Sequence, residues 1–171
     1  PPGQSSNLGL QAMDRDGLPV INIEGAAYRD GTLYLGLKQP VTDEGAIIWR
    51  LDGVDAVLAS HNPAEGHLSR AGTVDLGQVS GRRRGISDLT FDAQGRLWAL
   101  STVPDAEDDR QTGGLHRIDR FPDGRMKAVT VTEFPGLKPE GLAFDDTGGA
   151  MIVFDTGGRT PVFLNGRRDN L

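Results

Sequence analysis

The stretch that decides the fold is residues 139–153, PEGLAFDDTGGAMIV. It consists of an apolar strand, a turn built on Asp and Gly, and a second strand. Two earlier stretches have the same pattern, residues 23–35 (IEGAAYRDGTLYL) and residues 86–100 (ISDLTFDAQGRLWAL). Such turns between apolar runs are typical of β-hairpins, because glycine supplies the positive φ that a tight turn needs. The pattern therefore predicts three hairpins of one kind.

The spacing of the hairpins predicts the architecture. The turn glycines Gly31, Gly95 and Gly148 lie 64 and 53 residues apart, close to the period of about 40–50 residues in propeller blades. A third strand is expected after each hairpin, at residues 46–51, 114–119 and 161–165, and a fourth at residues 72–76 and 127–132. Four antiparallel strands make one blade. The sequence thus predicts an all-β chain, a β-propeller of four-stranded antiparallel blades with about three blades.

The same pattern predicts one partial propeller domain over residues 1–171. Its blade units are expected at about 20–80, 84–134 and 138–171, with residues 1–19 forming the outer strand of a neighbouring blade. Closed propellers have typically 4 to 8 blades, and an open fan leaves unpaired strand edges. We therefore expect an incomplete propeller, or one completed by a second copy or by another protein chain. The chain starts at Pro1 without an initiator Met, which suggests a product that was processed, trimmed or cut from something longer.

Composition excludes several classes of function. The 24 glycines and 10 prolines suit short strands and tight turns. The net charge of −6 disfavours nucleic-acid binding, which needs a basic surface. No apolar run approaches the roughly 18 residues of a membrane helix, so no membrane insertion is expected. The absence of cysteine excludes disulfides and thiolate metal sites.

An acidic residue near the start of each first strand makes the strongest candidate site. These residues are Glu24, Asp88 and Glu140. First strands line the central channel of a propeller, so the three carboxylates would meet at one end and repel each other. A bound hard cation or a basic partner relieves such repulsion. The sequence therefore predicts a Ca²⁺ site, with Asn22 offering a further oxygen. Alternatively, the acids accept hydrogen bonds from backbone amides or pair with basic side chains.

The spacing of the three acids is not uniform. Glu24 and Glu140 lie four residues before the strand aromatics Tyr28 and Phe144, whereas Asp88 lies three residues before Phe91. Ser87 is then the strict counterpart of the two glutamates, unless a bulge intervenes.

Three consecutive arginines form a second candidate site. Arg82, Arg83 and Arg84 immediately precede a first strand, and the planar guanidinium group suits phosphate or carboxylate ligands. They are predicted to bind an anionic ligand at the same end of the channel, with a solvated loop as the alternative. His116 is expected at the surface. No G-x-S-x-G, P-loop or G-x-G-x-x-G motif occurs, so no catalytic residue is predicted.

Several strings resemble an uncharacterised bacterial family, a domain of unknown function predicted to be a propeller. They are residues 22–25 (NIEG), 33–41 (LYLGLKQPV), 85–89 (GISDL) and 138–143 (KPEGLA). The resemblance covers most of residues 20–165 and corresponds to the C-terminal half of a longer member. The strand openings are also similar to those of phytase-like propellers and of the gluconolactonase and strictosidine-synthase-like group. In several of these, acids at equivalent strand starts hold calcium, which implies that role for Glu24, Glu140 and Asp88.

Three functions stay open at this point. The first is a propeller that binds a ligand or a partner, with a calcium site at the channel mouth. The second is a calcium-dependent hydrolase of the phosphoesterase or lactonase kind. The third is a structural accessory subunit that docks onto a larger assembly through its blade edges. We expect a bacterial protein located in the periplasm or outside the cell.

Overall fold

The computed structural model describes residues 20–104, 112–120, 125–157, 160 and 162–167. Strands dominate this part of the chain. The first sheet consists of β1 (Asn22–Arg29), β2 (Thr32–Thr42), β3 (Gly45–Asp52) and β4 (His67–Val74). A two-stranded ribbon, β5 (Gln78–Val79) and β6 (Arg82–Arg83), connects it to the second sheet. That sheet consists of β7 (Gly85–Phe91), β8 (Leu97–Thr102), β9 (Thr112–Arg120) and β10 (Met126–Pro135). The third sheet consists of β11 (Lys138–Phe144), β12 (Gly149–Asp155) and β13 (Val162–Arg167).

The predicted fold class is confirmed. Neighbouring strands pair antiparallel in chain order in every sheet, and two sheets have the four strands of a blade. The third has three strands among the described residues. Within that part of the chain the sheets do not close a ring, as expected for an incomplete propeller. Residues 1–19, assigned above to a neighbouring blade, lie outside the described residues.

One helix was not predicted. The segment between β3 and β4 contains α1 (Val54–Ser60) and a short 3₁₀ helix at Pro63–Glu65. The Asn62 side chain accepts a hydrogen bond from the Ala64 amide and caps the 3₁₀ turn. Among the residues that the structure describes, no helix combines the length and apolar character needed to cross a membrane.

Aspartates organise the hairpin turns. Asp92 Oδ1 accepts hydrogen bonds from the backbone amides of Gln94 and Arg96. Asp145 Oδ1 accepts from the amides of Thr147 and Gly149 in the next hairpin. Each carboxylate thus satisfies backbone donors that the turn would otherwise leave unpaired.

The sheets pack face to face in chain order. One apolar cluster lies between the first and second sheets and includes Ile48, Leu89 and Ala99. Another joins the second and third sheets and includes Trp98, Leu142 and Ile152. The aromatic residues Trp98 and Phe154 therefore pack between these two sheets. The outward face of the first sheet has its own cluster, of Leu37, Ile47 and Trp49.

Candidate functional site

The innermost strands β1, β7 and β11 carry an irregularity at the same place. In β1, Ile23 pairs with Leu37 and Gly25 with Gly36, so Glu24 lies in a one-residue bulge. The register of β7 shifts likewise around Ser87, and that of β11 around Glu140. A bulge leaves its extra residue outside the regular alternation of faces. The structural counterparts are therefore Glu24, Ser87 and Glu140, and Asp88 is displaced by one position. We call this end of the three strands the mouth.

Glu24 is engaged by a lysine. Its Oε2 lies 2.8 Å from Nζ of Lys38, whose side chain is almost completely buried. Its Oε1 accepts a hydrogen bond of 2.8 Å from the Asn22 side-chain amide. Because the Lys38 ammonium contacts Glu24 directly, it neutralises this carboxylate locally and limits the access of another cation to it.

Asp88 is engaged by backbone amides. Its Oδ1 accepts a hydrogen bond from the Leu89 amide, and its Oδ2 accepts one of 2.6 Å from the Leu142 amide of the third sheet. Burial raises the pKa of Asp88, the two amides offset part of that rise, and the charge of nearby Glu140 adds to it. Asp88 thus bridges two sheets and lies within electrostatic range of a second carboxylate.

Glu140 shares a lysine with Asp155. Nζ of Lys138 lies 2.8 Å from Glu140 Oε1 and 2.9 Å from Asp155 Oδ2. The hydrogen bond with Glu140 raises the pKa of Lys138 above its usual value, and the contact with Asp155 raises it further. Lys138 is therefore a firmly charged bridge between β11 and β12.

The charges of the mouth do not cancel. Four carboxylates lie at this end of the sheets and two ammonium groups accompany them: Lys38 contacts Glu24, Lys138 contacts Glu140 and Asp155, and Asp88 contacts backbone amides only. Carboxylate oxygens are the ligands that Ca²⁺ prefers. However, lysines contact both glutamates, and within the described ranges no three acidic or histidine side chains are grouped closely enough to hold a metal ion. The oxygen atoms of the predicted ligands are of the kind that binds Ca²⁺. The lysine contacts of the two glutamates, however, do not fit a Ca²⁺ site.

The three arginines separate from one another. Arg82 donates to the carbonyl oxygen of Pro104, and Arg83 lies 3.5 Å from Asp75. Arg84 is buried, and its two terminal nitrogens donate to the two oxygens of Glu133 on β10, at 2.9 and 2.5 Å. The arginines predicted to bind an anion together therefore each contact a different group of this chain.

His116 is buried, which corrects the surface position expected from the sequence. Its Nε2 lies 2.7 Å from Oγ of Ser101, and its Nδ1 lies 3.2 Å from Oγ1 of Thr130. The sequence pattern was misleading because the face of β9 that carries His116 packs on another sheet. Both Ser101 and His116 are 0% exposed. The pair resembles part of a hydrolase triad in distance only, because a substrate cannot reach a buried serine.

Sequence reasoning missed the lysines of the mouth. Lys38 lies in the middle of a strand with few other charges, and Lys138 directly precedes a Pro-Glu opening. A charged residue within an otherwise apolar strand is the signal that could have identified Lys38 as a paired group, since buried lysines need a partner.

An open cavity of about 650 Å³ lies at the outer edge of the first two sheets, away from the mouth. Its lining includes Arg70, Thr73 and Met126, and Arg70 pairs with Glu44 at 2.9 Å. The cavity is therefore bordered by charges that are already paired in part.

Comparison with known proteins gives a family match and no structural one. The chain matches the model described as "Family of unknown function (DUF6929)" over residues 10–116. No solved structure matches the chain.

Proposed function

The chain belongs to the DUF6929 family, whose function is unknown, and we propose that it is a binding module whose mouth takes a positively charged ligand or partner segment. The observation that carries the proposal is the excess of carboxylates at the mouth, four against two lysines. An excess of negative charge at the mouth attracts cations. Ca²⁺ is the simplest cation of this kind and the one that the resemblance implies.

Of the four carboxylates, Asp88 and Glu140 would be stabilised most by a bound cation. The charge of Glu140 and the burial of Asp88 both act against ionisation of Asp88. A cation between the two would remove the repulsion. Because Lys138 competes for Glu140, we expect weak binding, with a dissociation constant on the order of 10⁻³ M, as in extracellular calcium modules.

A thermal unfolding experiment tests this proposal. At a Ca²⁺ concentration about ten times the dissociation constant, binding should stabilise the chain by about 1.4 kcal/mol. For a chain of this size that corresponds to a rise in Tm of roughly 3–6 °C. NaCl at the same ionic strength should not reproduce the rise.

Two variants locate the effect. Glu140→Gln should abolish most of the rise, whereas Asp30→Asn should leave it intact. Asp30 is an exposed acid in the β1–β2 turn, and Asn tolerates its positive φ of 50°. An equal rise in both variants would show that Ca²⁺ acts elsewhere, and no rise in the native chain would refute the cation version.

The finer relationships stay proposals. We propose that the chain is a bacterial propeller related to the phytase-like and gluconolactonase or strictosidine-synthase-like groups, and that it is exported to the periplasm or beyond. Their support is the similarity of the strand openings at Glu24 and Glu140. The hydrolase alternative also stays a prediction, and the buried Ser101–His116 pair gives it no support.

A further inference from the structure

The cavity at the outer edge of the first two sheets is lined by side chains from both of them. Arg70 and Thr73 belong to β4, the last strand of the first sheet. Met126 begins β10 of the second sheet, and Arg125 immediately precedes it. Glu44 reaches the cavity from the turn between β2 and β3. The volume of about 650 Å³ lies within the range of about 300–1,000 Å³ that is typical of small-molecule sites.

A carboxylate of the chain itself already occupies one wall of the cavity. Oε2 of Glu44 lies 2.9 Å from Nη2 of Arg70 and 3.4 Å from Oγ1 of Thr73. One carboxylate oxygen is thus contacted by a guanidinium group and by a hydroxyl group. Both groups are hydrogen-bond donors that suit a carboxylate, and the guanidinium adds an opposite charge. We call Arg70 and Thr73 the anion subsite.

Glu44 is a weakly held occupant of the anion subsite. Its side chain is 73% exposed, whereas that of Arg70 is only 28% exposed. An ion pair with so exposed a carboxylate contributes little to stability, because water competes for the charges. A carboxylate that arrives from solution can therefore replace that of Glu44 at little cost.

The charge around the cavity is opposite in sign to that of the whole chain. The chain has a net charge of −6. Among the described residues at the cavity, Arg70 and Arg125 face the acids Glu44 and Asp75, and Arg83 lies 3.5 Å from Asp75. Three arginines therefore accompany two acids, and this local positive excess attracts anions.

The uncharged part of the lining suits a carbon chain. Met126 lies against Gly72, where an added Cβ would be 3.2 Å from the methionine sulfur. A methionine side chain is apolar and flexible, so it adapts to the shape of a small ligand. The cavity thus combines an anion subsite with an apolar surface beside it.

A similar group of side chains occurs elsewhere without this cavity. Oδ1 of Asp52 accepts hydrogen bonds from Arg50 and from the hydroxyl of Thr32. None of these three residues lines the cavity. An arginine, a threonine and a carboxylate in contact therefore do not make a site by themselves, and the argument depends on the space next to Arg70.

We propose that the cavity binds a small organic acid, whose carboxylate replaces that of Glu44 on Arg70 and Thr73 and whose carbon chain lies on Met126. The support is the combination of a displaceable carboxylate, a positive local charge and a space of suitable size. This site is separate from the mouth and takes a ligand of the opposite charge. The two proposals can therefore fail independently of each other.

A titration of the native chain with succinate, followed by two-dimensional ¹H–¹⁵N NMR, tests the proposal. The amide signals of residues 70–73 and 125–126 should shift, with a dissociation constant on the order of 10⁻³ M. NaCl and sodium phosphate at the same ionic strength should not reproduce these shifts, because neither ion has a carbon chain to place on Met126.

Four variants locate the binding. Glu44→Gln removes the internal competitor and should tighten succinate binding by roughly two- to fivefold. Arg70→Gln should weaken it by roughly tenfold or more, because a charge-assisted hydrogen bond is lost. Arg125→Gln, at the second sheet, should also weaken it. Arg50→Gln is the matched control and should leave the affinity unchanged, and circular dichroism verifies that all four variants are folded.

Three outcomes would overturn the proposal. The absence of shifts at residues 70–73 and 125–126 under saturating succinate would mean that the cavity does not bind the acid. Equal affinity in the native chain, Arg70→Gln and Arg125→Gln would place the acid elsewhere. Shifts of the same size with phosphate would mean that the cavity attracts any anion and does not recognise an organic acid.

Discussion

At the scale of single residues, a buried polar cluster lies between the first two sheets. His116 has an imidazole that is fully buried between two hydroxyl groups, and the guanidinium of Arg84 lies close by. Burial lowers the pKa of His116 to about 4, and the positive charge of Arg84 contributes to that shift. The folded chain therefore holds His116 neutral at neutral pH.

The pH dependence of stability follows from that shift. Between about pH 6.5 and pH 4, the imidazole of His116 is protonated in the unfolded chain but neutral in the folded chain. Acidification across that window should therefore lower the free energy of unfolding by about 3 kcal/mol, and the loss should end below the window. Urea unfolding of the native chain and of His116→Gln at about pH 7 and pH 4 would measure the difference.

A matched control separates this effect from general acid denaturation. His61→Gln changes an exposed histidine at the end of α1 and should retain the full acid loss. If His116→Gln loses as much stability on acidification as the native chain does, the buried imidazole does not cause the loss.

The sequence identified some residues of the mouth and missed others for a physical reason. The identical spacing of Glu24 and Glu140 from the strand aromatics marked them as equivalents, and it also marked Ser87 as the third member. The partners of the acids could not be predicted, because the contact of Glu24 with Lys38 depends on strand register rather than on spacing. Arg84 was misplaced because its partner, Glu133, is far along the chain.

At the scale of elements, glycines set how closely the sheets approach. Gly36 on β2 and Gly25 on β1 leave the space that Ile86 of β7 occupies. The side chain of Ile86 is completely buried there. A methyl group at either glycine would have to push the two sheets apart, because the atoms that it meets belong to a branched side chain held in the core.

Gly36→Ala should therefore destabilise the chain by about 1–3 kcal/mol, the usual cost of overpacking. The double variant Gly36→Ala with Ile86→Ala should lose less than the sum of the two single changes, because the new methyl group partly fills the space that Ile86 vacates. Urea unfolding of the four chains measures this coupling.

Gly72→Ala is the matched control on the same sheet. An added Cβ there meets the flexible end of Met126 at 3.2 Å, which can move aside. Its cost should be under about 1 kcal/mol. Equal losses for Gly36→Ala and Gly72→Ala would contradict the close contact between the sheets.

Elements were more predictable than contacts. Strands and turns follow from local alternation and from the Asp and Gly positions, so the three hairpins were found from the sequence. The helix α1 was not found, since seven residues with one buried side chain carry too little periodicity to be recognised.

At the scale of the whole molecule, the three sheets are arranged in series. The second sheet is covered on both faces, and all of β8 is buried. Among the described residues, the third sheet packs on the second sheet by one face, and β12 alternates between buried and exposed residues. The stability of each sheet in such a series depends on its interfaces with neighbouring sheets. The third sheet is therefore expected to open at a lower free energy than the second.

Hydrogen exchange followed by mass spectrometry tests this order. At low protein concentration, the backbone amides of β12 should exchange roughly tenfold or more faster than those of β8, because the third sheet can open without the second. Equal rates in β8 and β12 would mean that the three sheets unfold as one unit.

The repeated bulge has a consequence for engineering. Glu24 and Glu140 are partly exposed at their bulges, whereas Ser87 is 1% exposed and donates a hydrogen bond to the Pro139 carbonyl oxygen of the third sheet. New selectivity is therefore better installed at the two glutamates than at Ser87, where a larger side chain would disturb the contact between the second and third sheets.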